Sequence, residues 1–108
     1  MRNMKRLATV VLGIGLLAML TACKGDPNVK KQKYLESGNR YAEKQQFKEA
    51  VIQYQNAIQV DPGFEPAHYK LSQAYIAIGN YQGAFSELKK SVELKPDDLQ
   101  AQVGLGNL

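Results

Sequence analysis

Cys23 is the only thiol in this 108-residue chain, so neither an internal disulfide nor a multi-cysteine metal site can form. What precedes it suggests another use for the sulfur. Arg2, Lys5 and Arg6 make a basic start, Leu7 to Leu20 is an uncharged, largely apolar run of 14 residues, and Thr21 and Ala22 lead directly into Cys23. This is the layout of an export signal ending in a cleavage site of small residues. The apolar run is short for a hydrocarbon core of ~30 Å.

The remaining polar residues argue against catalysis. His68 is the sole histidine and stands where a helix packs an aromatic, so neither a Ser/His/Asp triad nor a histidine-rich metal cluster is expected. Gly104 and Gly106 lack the Lys-Ser/Thr of a phosphate loop. Asp97-Asp98 reads as a helix cap rather than an acid–base pair. Three amides are better placed for binding: Asn39, Gln73 and Asn107 recur every 34 residues. An amide ladder can both donate to and accept from an extended peptide backbone, with Tyr69 as an apolar contact and Lys70 beside it. The same residues would also serve as a solvated surface.

These amides need helices to hold them. Tyr34, Gly38, Tyr41 and Ala42 follow a helical period, as do Phe47, Ala50, Val51, Tyr54, Ala57, Ile58 and Val60. The pattern predicts helices over 31–44, 47–60, 65–78 and 81–94. Pro62-Gly63, Gly79-Asn80 and Pro96 are the stops, and another helix opens at Leu99. Tyr69, Leu71, Ala74, Tyr75, Ile76 and Ile78 form the stripe of the third helix; Tyr81, Ala84, Phe85, Leu88, Val92 and Leu94 form that of the fourth. Laid on itself with a 34-residue shift, the chain places Tyr41 on Tyr75, Ala50 on Ala84 and Pro62 on Pro96. Gly38, Ser72 and Gly106 recur at that spacing and are expected to let a second helix approach closely. Residues 24–32 read as a linker, because Gly25, Asp26, Pro27 and Asn28 break structure. Lys30, Lys31 and Lys33 are either a solvated tether or a weak contact to lipid headgroups.

Leu20-Thr21-Ala22-Cys23 resembles the lipobox of bacterial lipoproteins. The resemblance implies a diacylglyceryl thioether on Cys23 and cleavage after Ala22. Lys24, where an aspartate would signal inner-membrane retention, implies an outer-membrane location facing the periplasm. From about residue 31 the chain resembles the tetratricopeptide repeat. The first unit supplies Tyr34, Gly38, Tyr41, Ala50, Tyr54, Ala57 and Pro62, with Ser37 in place of leucine. The second supplies Leu71, Tyr75, Ala84 and Pro96, and departs at His68, Ser72, Leu88 and Ser91. Leu105 and Gly106 begin a third. The resemblance implies an all-α helix-turn-helix solenoid whose first helices line a concave, partner-binding face. The family's clamp for a peptide carboxylate is excluded, because Leu35 and Gly104 stand where its first lysine and last arginine would fall.

The expected organisation is a signal peptide over 1–22, a lipidated Cys23 and linker over 23–30, repeats over 31–64 and 65–98, and the start of a third over 99–108. Removing 1–22 takes three of 14 basic residues and none of 10 acidic ones, leaving a net charge of +1. That small charge excludes strong nucleic-acid binding. The expected function is a membrane-anchored, non-enzymatic scaffold for a protein or peptide partner in the cell envelope, without metal or cofactor. By analogy with other bacterial lipoproteins of this kind, envelope or exopolysaccharide assembly is a candidate role. The rival reading makes this the front of a longer envelope enzyme with its catalytic domain beyond Leu108. Self-association through the exposed apolar edge of the last helix is a third.

Overall fold

The computed structural model describes residues 25–108; the expected signal segment and Cys23 lie outside the described residues. Within them the chain is all-α: α1 (Pro27–Glu43), α2 (Phe47–Val60), α3 (Glu65–Ala77), α4 (Tyr81–Leu94) and α5 (Leu99–Gly106). Helices α1 and α2 form one hairpin, α3 and α4 a second; α3 stacks on α2, and α5 packs on α4. This is the solenoid that the repeat predicts. No helix among the described residues is long and apolar enough to cross a membrane.

Helices α2 and α4 keep the predicted bounds, but α1 starts at Pro27 rather than Lys31. The stretch read as a linker is a helix start. Asp26 caps it by accepting from the Asn28 N–H at 2.9 Å, and Pro27 occupies the first turn, where its missing N–H costs no hydrogen bond. Lys31 consequently belongs to the folded unit and not to a tether. Its Nζ lies 2.7 Å from Asp61 Oδ2 and 4.7 Å from the centre of the Phe64 ring, tying α1 to the loop between hairpins.

Both hairpin turns use one hydrogen-bond scheme. After α1, the Gln45 N–H donates to the Ala42 carbonyl and the Gln46 N–H to the Tyr41 carbonyl; after α3, Gly79 donates to Ile76 and Asn80 to Tyr75. Each is a Schellman cap, which requires a left-handed residue just past the helix. Gln45 (φ 59°) and Gly79 (φ 80°) fill that position.

The core lies between the hairpins. Ala50, Tyr54, Leu71 and Ala74 form one buried cluster, and Ala57, Phe64 and Ala67 another. Full burial of a side chain such as Leu71 stabilises by about 1.5–3 kcal/mol. Gly38 permits the tightest approach: a Cβ there would sit 2.4 Å from Tyr54 Cε1. Ser72, the matching residue of α3, is fully buried and donates from Oγ to the Tyr69 carbonyl at 2.6 Å. The expectation fails at Gly106, where an added Cβ would meet nothing within 4 Å. Among the described residues no second helix faces α5 there.

The stripe assigned to α4 is also only partly buried. Tyr81 is 61% and Phe85 49% exposed. Phe47 and Val51, 34 residues earlier, are half-buried. The difference follows from stacking: α2 has the full-length α3 against it, whereas α4 has only the short α5.

Candidate functional site

His68 and Gln102, 34 residues apart, fix each new hairpin to the loop before it. His68 is buried, with Nε2 2.7 Å from the Pro62 carbonyl oxygen and Nδ1 2.7 Å from Glu87 Oε2. Gln102 donates from Nε2 to the Pro96 carbonyl oxygen. The expectation of a structural histidine thus holds, but through polar contacts to two neighbouring elements as well as packing. A third tie joins Ser91 Oγ to Glu65 Oε1 at 2.5 Å across α3 and α4. These contacts tie α3 to α4 and each new first helix to the loop before it; a cleft lies between α1 and α3.

That cleft encloses about 260 Å³ and is lined by Asn39, Ala42, Glu43, Phe47, Tyr54, Lys70, Gln73 and Ala74. Its apolar wall comes from Ala42, Phe47 and Ala74. Its polar groups come from α1 (Asn39, Glu43) and α3 (Lys70, Gln73). The 34-residue period brings this about, because Asn39 and Gln73 occupy equivalent turns of adjacent parallel-running helices.

The amides are less free than the ladder reading supposes. Asn39 Oδ1 accepts from the buried Tyr54 Oη at 2.8 Å, so its NH₂ remains to donate. Gln73 Nε2 donates to Tyr69 Oη at 3.1 Å, which leaves its carbonyl to accept. The pair therefore offers the Asn39 NH₂ as donor from α1 and the Gln73 carbonyl as acceptor from α3, the two kinds of partner that a peptide unit needs. Tyr69 stands beside Gln73 and supports it through the hydroxyl instead of acting as a purely apolar contact. Asn107 is not part of this group; it is exposed and forms the C-terminal cap of α5. Cys23 lies outside the described residues.

The rim is electrostatically mixed, with Glu43 on one side and Lys70 on the other, and no salt bridge joins them. Burial, assisted by the negative charge of Glu43, pushes the Tyr54 hydroxyl above the ordinary tyrosine value of 10.0. The phenol thus keeps its proton and its bond to Asn39. At the hairpin junction, the hydrogen bond from Lys31, followed by that from the Gly63 N–H, holds the Asp61 carboxyl below its ordinary 3.8. Leu35, where the carboxylate clamp would need a lysine, packs against both core clusters. Among the described residues no group of three His, Cys, Asp or Glu side chains is placed to hold a metal ion.

Sequence reasoning placed Glu43 on the concave face but missed Phe47 and Tyr54 as cleft residues, and Phe64 as a core residue. Phe64 is the only aromatic between Pro62-Gly63 and Glu65-Pro66. A large apolar side chain isolated among turn residues, just before a helix, was the available signal.

Comparison with known proteins agrees with this architecture. A family described as TPR repeat matches residues 38–79, and one described as Tetratricopeptide repeat matches residues 65–98. The chain is similar to DnaJ homolog subfamily C member 3 of Bos taurus, with 31% identity over 81 residues. The human protein of that name shows 30% over the same length. Each alignment covers 75% of this chain and 16% of the relative. The Tetratricopeptide repeat and J domain-containing co-chaperone DNJ1 of Cryptococcus neoformans is 25% identical over 99 residues, which is 91% of this chain and 19% of that protein. The chain thus spans less than a fifth of the length of these relatives.

Proposed function

Residues 38–98 are tetratricopeptide repeats, and from that premise we propose that the chain is a non-enzymatic scaffold that holds an extended segment of a partner protein in the cleft between α1 and α3. Such repeats in general mediate protein–protein contacts. The observation that carries the reading is the pairing of a spare amide donor on Asn39 with a spare acceptor on Gln73 above an apolar wall, flanked by Glu43 and Lys70. A peptide unit would satisfy both amides, and its neighbouring side chains would find one charge of each sign at the rim.

A photo-crosslinking residue at Gln73 tests it. With the full chain in its native membrane fraction, Gln73 is expected to crosslink a partner, and Lys70→Glu to weaken that capture about tenfold, the equivalent of ~1.4 kcal/mol. Crosslinks arising only from a probe at Glu93 of α4, outside the cleft, would overturn the assignment.

The scaffold is proposed to be lipid-anchored in the bacterial cell envelope, on the outer membrane facing the periplasm. Support comes from the basic start, the apolar run and Leu20-Thr21-Ala22-Cys23. Metabolic labelling with radioactive palmitate should mark the wild-type chain and not Cys23→Ala. An unlabelled wild-type protein would remove the anchor from the proposal and leave the cleft untouched.

A further inference from the structure

Helix α1 carries a second surface that the cleft does not use. Lys30, Lys33, Ser37, Arg40 and Lys44 succeed one another at alternating spacings of three and four, which keeps them on one line of a helix with ~3.6 residues per turn. The four cations are exposed, and none of them joins an ion pair among the described residues. The carboxylate in register with the line is Asp26, whose Oδ1 is occupied by the Asn28 N–H. The other two carboxylates of α1 flank the line: Glu36 lies one turn from Lys33 and Arg40, and Glu43, which also lines the cleft, lies one turn from Arg40. Lys31 points elsewhere, into its pair with Asp61. Positive charge therefore outnumbers negative on this face of α1, although residues 23–108 are close to neutral. Towards its C-terminal end, Ser37, Arg40, Tyr41 and Lys44 line a hollow of about 200 Å³.

We propose that α1 lies along an anionic bilayer surface with this stripe against the phosphate headgroups. The charge pattern supplies the complementarity, and the early helix start supplies the placement. Asp26 is three positions after Cys23, with only Lys24 and Gly25 between them, so a lipid on Cys23 would hold the start of α1 within roughly 10 Å of its anchor. The 17-residue helix is then about 25 Å long, and lying flat keeps all four cations within a Debye length of ~8 Å of the headgroups. The placement rests on the anchored reading above; the excess of cations on this face does not. The buried face of α1 is taken up by α2, so a flat α1 leaves the cleft side accessible to a partner.

The chain contains no tryptophan, so Ser37→Trp in the full chain gives a unique reporter. It would be mixed with vesicles of neutral phosphatidylcholine, or of phosphatidylcholine with anionic phosphatidylglycerol, each carrying brominated quencher lipid. The expected result is quenching in anionic vesicles, little in neutral ones, and release at high salt. Lys33→Gln with Arg40→Gln should weaken the anionic preference roughly 25-fold, about fivefold per charge. A tryptophan at Ile52 of α2 should stay unquenched. If Ser37→Trp loses helicity by circular dichroism, Val29→Trp at the edge of the stripe provides the same readout. Co-sedimentation with both vesicles but equal quenching in both overturns the stripe proposal alone. No sedimentation with either overturns the stripe and the anchor together. An equal response to duplex DNA without lipid overturns the assignment to a membrane.

Discussion

At the turn inside the first hairpin the left-handed residue is Gln45; at the matching turn of the second it is Gly79. The next residue differs too. Asn80 caps α4 by accepting from the Gly83 N–H at 3.0 Å, whereas Gln46 makes no side-chain cap on α2. Both turns nevertheless form the same two backbone hydrogen bonds. The second turn is therefore encoded locally, and the first is imposed by what surrounds it. An L-residue in the left-handed region costs about 1–2 kcal/mol, and the first hairpin offsets that with tertiary contacts. Tyr54 reaches Asn39 on α1, and Lys31 reaches Asp61 and Phe64. The second hairpin has ties of its own, His68 to Glu87 and Ser91 to Glu65, and adds good local turn signals, but leaves Tyr81 and Phe85 exposed.

The strongest way to break the comparison is Gly38→Ala against Ser72→Ala. The added Cβ at Gly38 meets the Tyr54 ring, which is 1% exposed and cannot swing away. A loss of roughly 2–3 kcal/mol is expected after the small gain in helix propensity. Ser72→Ala removes one buried hydrogen bond whose partner also belongs to the helix, and about 1 kcal/mol or less should follow. Urea unfolding followed by circular dichroism gives both values, and equal losses would contradict the packing described.

Grafting the second turn onto the first sharpens the comparison in the other direction. Gln45→Gly with Gln46→Asn should stabilise by about 1–2 kcal/mol, by relieving the left-handed strain and adding a cap. Gly79→Gln with Asn80→Gln should cost a similar amount. Thermal midpoints of the two double variants should move in opposite directions.

Tyr54→Phe is expected to cost about 1 kcal/mol at neutral pH through the lost bond to Asn39. It also has a pH signature. The folded phenol holds its proton above the ordinary value of 10.0, so its contribution is fully present below that pH and is lost as pH rises beyond it. Wild type should weaken more steeply than Tyr54→Phe in that alkaline range, as read from midpoints across pH.

The smallest effect belongs to Asp61. Its carboxyl titrates below the ordinary 3.8, so the stability it adds is present above that value and disappears as pH falls through the lowered one. Asp61→Asn should flatten the acid limb of the stability curve slightly and leave the alkaline limb unchanged. High salt should shrink the difference, as expected for a partly exposed pair.

Much of the scaffold was readable before any coordinates. Helices α2 and α4 match their predicted limits because aromatic starts and proline stops coincide with a clear apolar period. The start of α1 was misread because Asp26-Pro27 suits both a linker and a capped helix N-terminus. Which one forms depends on whether Lys31 finds partners in Asp61 and Phe64, 30 and more residues away. The candidate site was legible to the extent that it follows the repeat: Asn39, Lys70 and Gln73 do meet in one cleft. Asn107 keeps the register yet stands outside, because register alone does not supply a neighbouring helix.

Period, capping residues and the positions of small side chains are properties of the linear chain, and they determined an all-α stack of hairpins with a 34-residue repeat. Tertiary structure alone decided how the polar groups are used. It turned the carbonyl of Asn39 towards Tyr54, set His68 between Pro62 and Glu87, paired Lys31 with Asp61, and held Gln45 in a conformation its side chain disfavours. The physical reason is range. Helix periodicity is fixed by neighbours three and four residues apart, whereas a hydrogen bond or ion pair goes to whichever partner the packed hairpins bring within 3 Å.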